Sequence, residues 1–220
     1  MIEIKINERI KEVTPNLKLG VVQAAVTVTQ HDKNLWREID ACIQKILSGH
    51  KLETIPRIPQ ITALRDAYKA MGKDPGRYRG SSEALVRRIL QGKGLYKVNT
   101  IVDINNLVSL ETLHSVGSYD LSKIKSPVVF RIGEQGESYK GIGKDIINIA
   151  ELPVFADGSG PFGSPTSDSE RAMITTATKE IAMIIISFND DSNLKNSLRR
   201  ASQLLQRYAA AANIQTVIIE

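Results

Sequence analysis

The longest unbroken apolar run in the chain is six residues, Ile181–Ile186 (IAMIII). A helix crossing a bilayer needs about 20 apolar residues, so a run of six is strand-length, and the chain has to build its core around strands of this kind. Other segments carry the same signal. Ile2, Ile4 and Ile6 alternate with charged residues, and Leu17–Thr29 is rich in β-branched side chains. Val128–Ile132, Tyr139–Ile142, Pro153–Ala156, Ala172–Thr178, Ile181–Phe188 and Thr216–Ile219 complete the expected strands.

Helical spacing is interleaved with them. Asp32 caps a helix in which Leu35, Ile39, Cys42 and Ile46 share a face, ending near Gly49. Pro59 suits the first turn of a helix over Ile61–Met71. Ser81 or Ser82 is the expected N-cap of a helix with Glu83 in its first turn and Gly92 as its stop. Thr100–His114 buries Ile101, Ile104, Leu107 and Val108, and Asn193–Ala212 carries Leu194, Leu198, Ala201, Leu205 and Tyr208 on one stripe. No repeat and no long linker interrupts the pattern. The expectation is one α/β domain over residues 1–220, with a central mixed β-sheet flanked by helices.

Composition narrows the function classes. Hydrophobic content of 42% with 24% charged residues is ordinary for a globular protein. The opening MIEIKINERIKE alternates and carries charge, so no signal peptide is expected. A single cysteine, Cys42, excludes an internal disulfide. A cytoplasmic chain without a membrane partner follows. The net charge of +5 is localised: residues 65–97 hold nine Lys/Arg against three Asp/Glu, leaving the rest at −1. Such a segment is either a solvated helical face or a phosphate-binding one.

The usual catalytic signatures are missing. There is no phosphate loop, no strand-linked G-x-G-x-x-G and no G-x-S-x-G elbow. GIGKD at Gly141–Asp145 fits a β-turn. His31, His50 and His114 are scattered with no paired cysteine, so neither a metal nor a cofactor is expected. Three blocks stand out instead: DPGRYRGSSEALVRR; the helix segment VNTIVDINNLVSLETLHSVGSYD with Asp103, Asn105 and Asn106; and DGSGPFGSPTSDSER at Asp157–Arg171. The last holds three glycines, two prolines and four serines in fifteen residues between apolar segments. It suits either a rigid, donor-rich pocket wall or a structural loop.

Taken in order, RYRGSSEALVRR, VDINNLVSLET, YDLSKI and GPFGSPTSDSER resemble free-standing B3/B4-domain proteins and the B3/B4 editing domain of the bacterial phenylalanyl-tRNA synthetase beta subunit. The resemblance spans about residues 61–186, with residues 1–60 adding N-terminal strands and a helix and 187–220 a C-terminal helix and strand. It implies a B3/B4-like fold and hydrolysis of a mischarged aminoacyl-tRNA ester without metal or covalent intermediate. Asn106 falls on the family's pocket asparagine, Gly117 on its pocket histidine, and Ser167 near its tyrosine-recognising glutamate.

On that basis Asn106, Asp103 and the Gly160 backbone are the expected catalytic groups. Gly163, Ser164, Thr166, Ser167 and Asp168 would contact substrate. Arg77, Arg79, Arg87 and Arg88 would bind acceptor-stem phosphates of tRNA, and no DNA partner is expected. Adjacent helical residues diverge by about 100°, so Asn106 is expected to face the loop while Asn105 braces backbone or meets solvent. Two other functions stay open: an RNA-binding module without catalysis, and a pocket for a free amino acid or related metabolite.

Overall fold

A computed structural model describes residues 1–189 and 192–220. In chain order the elements are β1 (Ile4–Ile6), α1 (Glu8–Val13), β2 (Lys18–Ala25), α2 (Lys33–Gly49), α3 (Pro59–Ala70), α4 (Ser81–Leu90) and α5 (Thr100–Thr112). Then follow β3 (Ser115–Asp120), β4 (Val128–Ile132), β5 (Ser138–Lys140), β6 (Ile146–Asn148), β7 (Pro153–Asp157) and β8 (Gly160–Gly163). β9 (Glu180–Ser187), α6 (Leu194–Ala209) and β10 (Ala212–Ile219) complete the chain. Among the described residues no helix is long and apolar enough to cross a membrane.

IAMIII becomes the interior of β9, and its place explains its composition. β9 lies between β2 and β3 in an antiparallel sheet of order β10-β2-β9-β3. Met183 and Ile185 point into a core shared with α2, α4, α5 and α6, whereas Ile184 and Ile186 point into a second core. A strand covered on both faces has no use for polar alternation. The second core lies against a mixed sheet of order β1-β4-β7-β8, in which β1 and β4 run parallel, and against α3. A short β5-β6 ribbon stands apart. The fold is therefore a single α/β domain flanked by helices, but in place of the one central mixed sheet expected it has two four-stranded sheets, one antiparallel and one mixed.

Local sequence rules explain most element ends. Asp32 Oδ1 accepts from the amides of Asn34 and Leu35 at 2.8 and 2.9 Å, and Pro59 occupies the first turn of α3. At α4 the expected serine cap is replaced by Gly80. A Cβ there would sit 2.2 Å from Leu64 Cδ2, so the glycine leaves the Leu64 side chain of α3 its room at this point. Ser81 is already helical, and its amide donates to the Pro165 carbonyl at 2.7 Å. The expected strand over Ala172–Thr178 is also corrected: Glu170–Ala172 forms a 3-10 turn, and Thr175 and Thr178 close a second turn through hydrogen bonds. The GIGKD segment is the expected turn, joining β5 to β6 with Gly143 at φ +63.

Candidate functional site

α5 begins with Asn99, whose side chain accepts from the Val102 amide, and ends at Leu113 with left-handed backbone. Its buried face holds Ile101, Ile104, Leu107 and Val108. Rotating off that face brings Val102, Asn105 and Asn106 to the wall of a cleft of about 300 Å³. β3 contributes Val116 and Ser118, since alternate residues of a strand share a face. Ser81 enters from α4, Ile142 from the β5-β6 turn, and Met173 and Ile174 from the segment before β9. The glycine- and serine-rich stretch supplies Ser164, Ser167 and Asp168.

That stretch is half strand and half loop. Gly160–Gly163 is β8, paired to β7, a strand hidden in the sequence by its glycines and proline. Its outer end is stapled: Arg171 donates to both carboxylate oxygens of Asp157, at 3.1 and 3.0 Å, and to the Gly160 carbonyl at 2.8 Å. The first and last residues of DGSGPFGSPTSDSER are thus an ion pair. Past β8 the chain is tied down residue by residue. Ser164 Oγ accepts from the amides of Thr166 and Ser167 and donates to the Ser167 carbonyl at 2.8 Å. Tyr139 Oη donates to the same carbonyl at 2.6 Å, and Tyr68 and Thr166 share a hydroxyl–hydroxyl bond of 2.6 Å. A loop held this way is a rigid wall.

Asp168 is its chemical centre. Tyr119 Oη donates to Asp168 Oδ1 at 2.9 Å, and the Ser164 amide to the same oxygen at 3.2 Å. Burial pushes the carboxyl up to about 6, a shift only partly offset by those two donors and by Lys144. Lys144 itself donates to Ser167 Oγ at 2.7 Å. Tyr119 is packed edge-on to Phe162 and Phe155, with ring centroids 5.0 and 5.7 Å away. Two glycines make room for it: a Cβ on Gly117 or on Gly163 would lie 2.3 Å from Tyr119 Oη. These ties cross long sequence distances, so no local signal in the sequence announces them.

Several sequence expectations change here. Asn105 and Asn106 both line the cleft, against the expectation that only one would. Asn105 Oδ1 accepts from Ser118 Oγ at 2.9 Å, leaving its amide NH₂ without a hydrogen-bond partner among the described residues, and Asn106 makes no side-chain hydrogen bond among them. The angular spread of 100° is real, but the cleft wraps around the helix far enough to take both. Asp103 is not in the wall. It is buried beneath α5, accepting from Trp36 Nε1 at 2.7 Å and the Val98 amide at 3.2 Å, with its carboxyl raised by burial.

The glycine amides expected to polarise a substrate are likewise elsewhere. Gly160 opens β8 at φ +107, outside the cleft lining, and Gly163 and Thr166 serve packing and the Tyr68 contact. The amides of Ser164, Thr166 and Ser167 are engaged inside the loop.

The basic segment divides in two. Glu83, 1% exposed, accepts from Arg65 at 3.0 Å and from Arg87 at 2.8 Å, so Arg87 holds the interior together. Arg77 and Arg79 are exposed, and the Arg88 guanidinium stacks on the Tyr96 ring at 3.9 Å. Among the described residues no group of three or more His, Cys, Asp or Glu could hold a metal. Cys42 is a core residue whose thiol is pushed up to about 11 by burial.

The profile of the B3/4 domain matches residues 63–214, more than half of the chain and every residue of the cleft. The chain belongs to the B3/4 domain family. Curated relatives are phenylalanine–tRNA ligase beta subunits. The one from Symbiobacterium thermophilum is 27% identical over 54% of this chain, and that from Vibrio parahaemolyticus is 30% identical over 44%. This B3/4 chain spans only 14% and 12% of those two proteins. A crystal structure of an N-terminal fragment of the phenylalanyl-tRNA synthetase beta subunit from Pyrococcus horikoshii covers 99% of the chain at 14% identity, with a TM-score of 0.47.

Gly117, which the resemblance sets at a pocket-histidine position, does not face the cleft. Val116 and Ser118 do, so Gly117 points to the opposite side of β3, against Tyr119. His114 lies buried ahead of β3, outside the lining.

Proposed function

We propose that this B3/4 domain is a trans-acting editing hydrolase that removes a wrongly attached amino acid from tRNA in the cytosol. The observation that carries the reading is the cleft of about 300 Å³, which gathers Asn105, Asn106, Ser118 and Asp168 inside the stretch matched to the family. Its apolar wall of Val98, Val102, Val116, Ile142, Met173 and Ile174 suits an uncharged side chain, and its size is at the small end for ligand sites. An aminoacyl ester is already activated, so its hydrolysis needs a positioned water and a donor for the carbonyl oxygen.

With the loop amides engaged, the N–H donors left in the wall are the side-chain amides of Asn105 and Asn106, beside the hydroxyls of Ser81 and Ser167. Asn106 polarises the ester carbonyl, and Ser118 holds Asn105 in register beside it. Arg77, Arg79 and Arg88 bind acceptor-stem phosphates, a contribution that carries little sequence information.

The test is a panel of mischarged tRNAs incubated with the wild-type protein and with Asn106→Ala. Hydrolysis of at least one member, slowed roughly 10²–10³-fold by the substitution, supports the reading. One observation favours a binding-only module instead: the amides of Ser164, Thr166 and Ser167 are all closed within the loop. A panel that stays fully charged, together with salt-dependent retention of bulk tRNA on a filter, would establish that alternative.

A further inference from the structure

The cleft contains one acidic group, and its surroundings define what it can receive. Asp168 Oδ1 takes both hydrogen bonds that the protein offers, from Tyr119 Oη and the Ser164 amide. Both donors are neutral. The cation whose charge reaches Asp168, Lys144, donates to Ser167 Oγ and not to the carboxylate. The rest of the lining is amide, hydroxyl, thioether or hydrocarbon. An acid drawn out of water without an ion-pair partner is costly, and burial accordingly raises its proton affinity. Yet the structure invests heavily in aiming it. Tyr119 is fixed between Gly117 and Gly163 and against two phenylalanine rings, and its hydroxyl sets the carboxyl's orientation. The second oxygen is left for whatever enters the cleft.

We infer that Asp168 is the anchor for the free α-ammonium group of the aminoacyl moiety, so that the site takes substrates with an unblocked amine and an uncharged side chain. This rests on reading the cleft as an aminoacyl site and adds which end of the amino acid goes where. The ammonium meets Asp168 Oδ2 at the loop side, the side chain lies along Val98, Val102, Val116 and Ile174, and the ester carbonyl faces Asn106. An acylated amine has neither charge nor room to pair with the carboxylate, so N-blocked aminoacyl groups are excluded. A carboxylate side chain is rejected by Asp168 itself.

The inference can be tested without hydrolysis, by titrating isotope-labelled protein with L-isoleucinamide, L-phenylalaninamide and their N-acetyl forms in NMR. Saturable shifts at cleft residues are expected for at least one free amine at neutral pH. Its N-acetyl form should bind about tenfold or more weakly, the scale of a charge-assisted hydrogen bond. Asp168→Asn should erase that preference. Equal binding of free and acetylated amides, retained preference in Asp168→Asn, or no binding of any of the four would overturn it. The wild-type comparison stands even where the variant does not fold.

Failure of the hydrolase reading looks different: the free amines bind with the stated preference while every mischarged tRNA stays charged. Conversely, hydrolysis of N-acetylaminoacyl-tRNA at the rate of the free form removes the ammonium anchor and leaves the hydrolase.

Discussion

Glu83 and Asp168 are both acids withdrawn from solvent, and the protein treats them in opposite ways. Glu83 opens α4 and is clasped by two guanidiniums, Arg65 from α3 and Arg87 one turn later in α4. Asp168 is held by a phenol and an amide and has no guanidinium. The first arrangement closes on itself: charge, geometry and hydrogen bonds are all complete before any ligand arrives. The second is fixed in position but electrostatically open. A buried group that is fully paired serves the fold, whereas one that is oriented yet uncompensated is available to a ligand.

The largest expected effect lies on the closed side. Glu83→Gln leaves Arg65 and Arg87 side by side without their shared anion. Breaking a buried pair costs about 3–5 kcal/mol. The low end applies because the two arginine side chains keep 22% and 24% exposure. A fall in urea midpoint with unchanged slope would register it. A change below about 1 kcal/mol would mean that solvent already supports these arginines, and the contrast with Asp168 would weaken.

Asp168→Asn should move stability the other way at neutral pH. The folded carboxyl titrates near 6 against 3.8 for the ordinary group. Its folded-state value is raised, so the folded protein holds the proton more tightly than the unfolded chain does. Relative stability is therefore greatest below pH 3.8 and declines as pH rises toward 6. At pH 7 the ionised acid costs the fold about 1–3 kcal/mol. Removing its charge should raise the melting temperature at pH 7, and the gain should vanish near pH 3.5. The same variant should lose amine selectivity, so the group that costs stability is the one the ligand needs. A destabilised Asp168→Asn at pH 7 would break the comparison.

Gly117→Ala and Gly163→Ala probe the device that aims Asp168. Each Cβ would arrive 2.3 Å from Tyr119 Oη, backed by packed rings, and overpacking of this kind costs about 1–3 kcal/mol. Either substitution should also loosen amine selectivity, because Tyr119 has to move. Gly117→His, which restores the residue type that the resemblance places there, should not restore or raise activity. Its side chain would press on Tyr119 on the face of β3 turned away from the cleft. Faster deacylation in Gly117→His would show that β3 changes register when substrate binds.

Much of the scaffold was legible because it depends on local rules: the Asp32 cap, Pro59 in a first turn, the apolar stripe of α6 and the doubly buried β9. At the cleft, Asn106, Ser164, Ser167 and Asp168 could be picked out by residue type and by resemblance. The groups that go astray, Asp103, Gly160, Gly163 and Thr166, lie within a few residues of true lining residues in the sequence. In space Asp103 sits about 100° around α5 from Val102, on the side turned to Trp36, and a strand's length separates Gly160 from the wall. Tyr68, Tyr119 and Tyr139 were not legible at all. Each reaches the loop from 28 to 98 residues away, and nothing local distinguishes them from ordinary core tyrosines.

The smallest effects belong to the basic segment, where the same division between closed and open groups recurs. Arg87 is committed to Glu83. Arg88, its neighbour, has its guanidinium spread on Tyr96 and otherwise reaches only the Lys93 carbonyl at 3.4 Å. If tRNA phosphates are the ligand, Arg88→Ala should lower the slope of log K against log salt by about 0.7–0.9, the value of one lost contact. Arg87→Ala should leave that slope unchanged and reduce stability instead, since its charge is already spent inside the protein. Filter binding at several salt concentrations, run beside thermal unfolding of both variants, separates the two. Equal slope changes for Arg87 and Arg88 would mean that the Glu83 clasp opens when RNA binds, making the closed side of the comparison a switch.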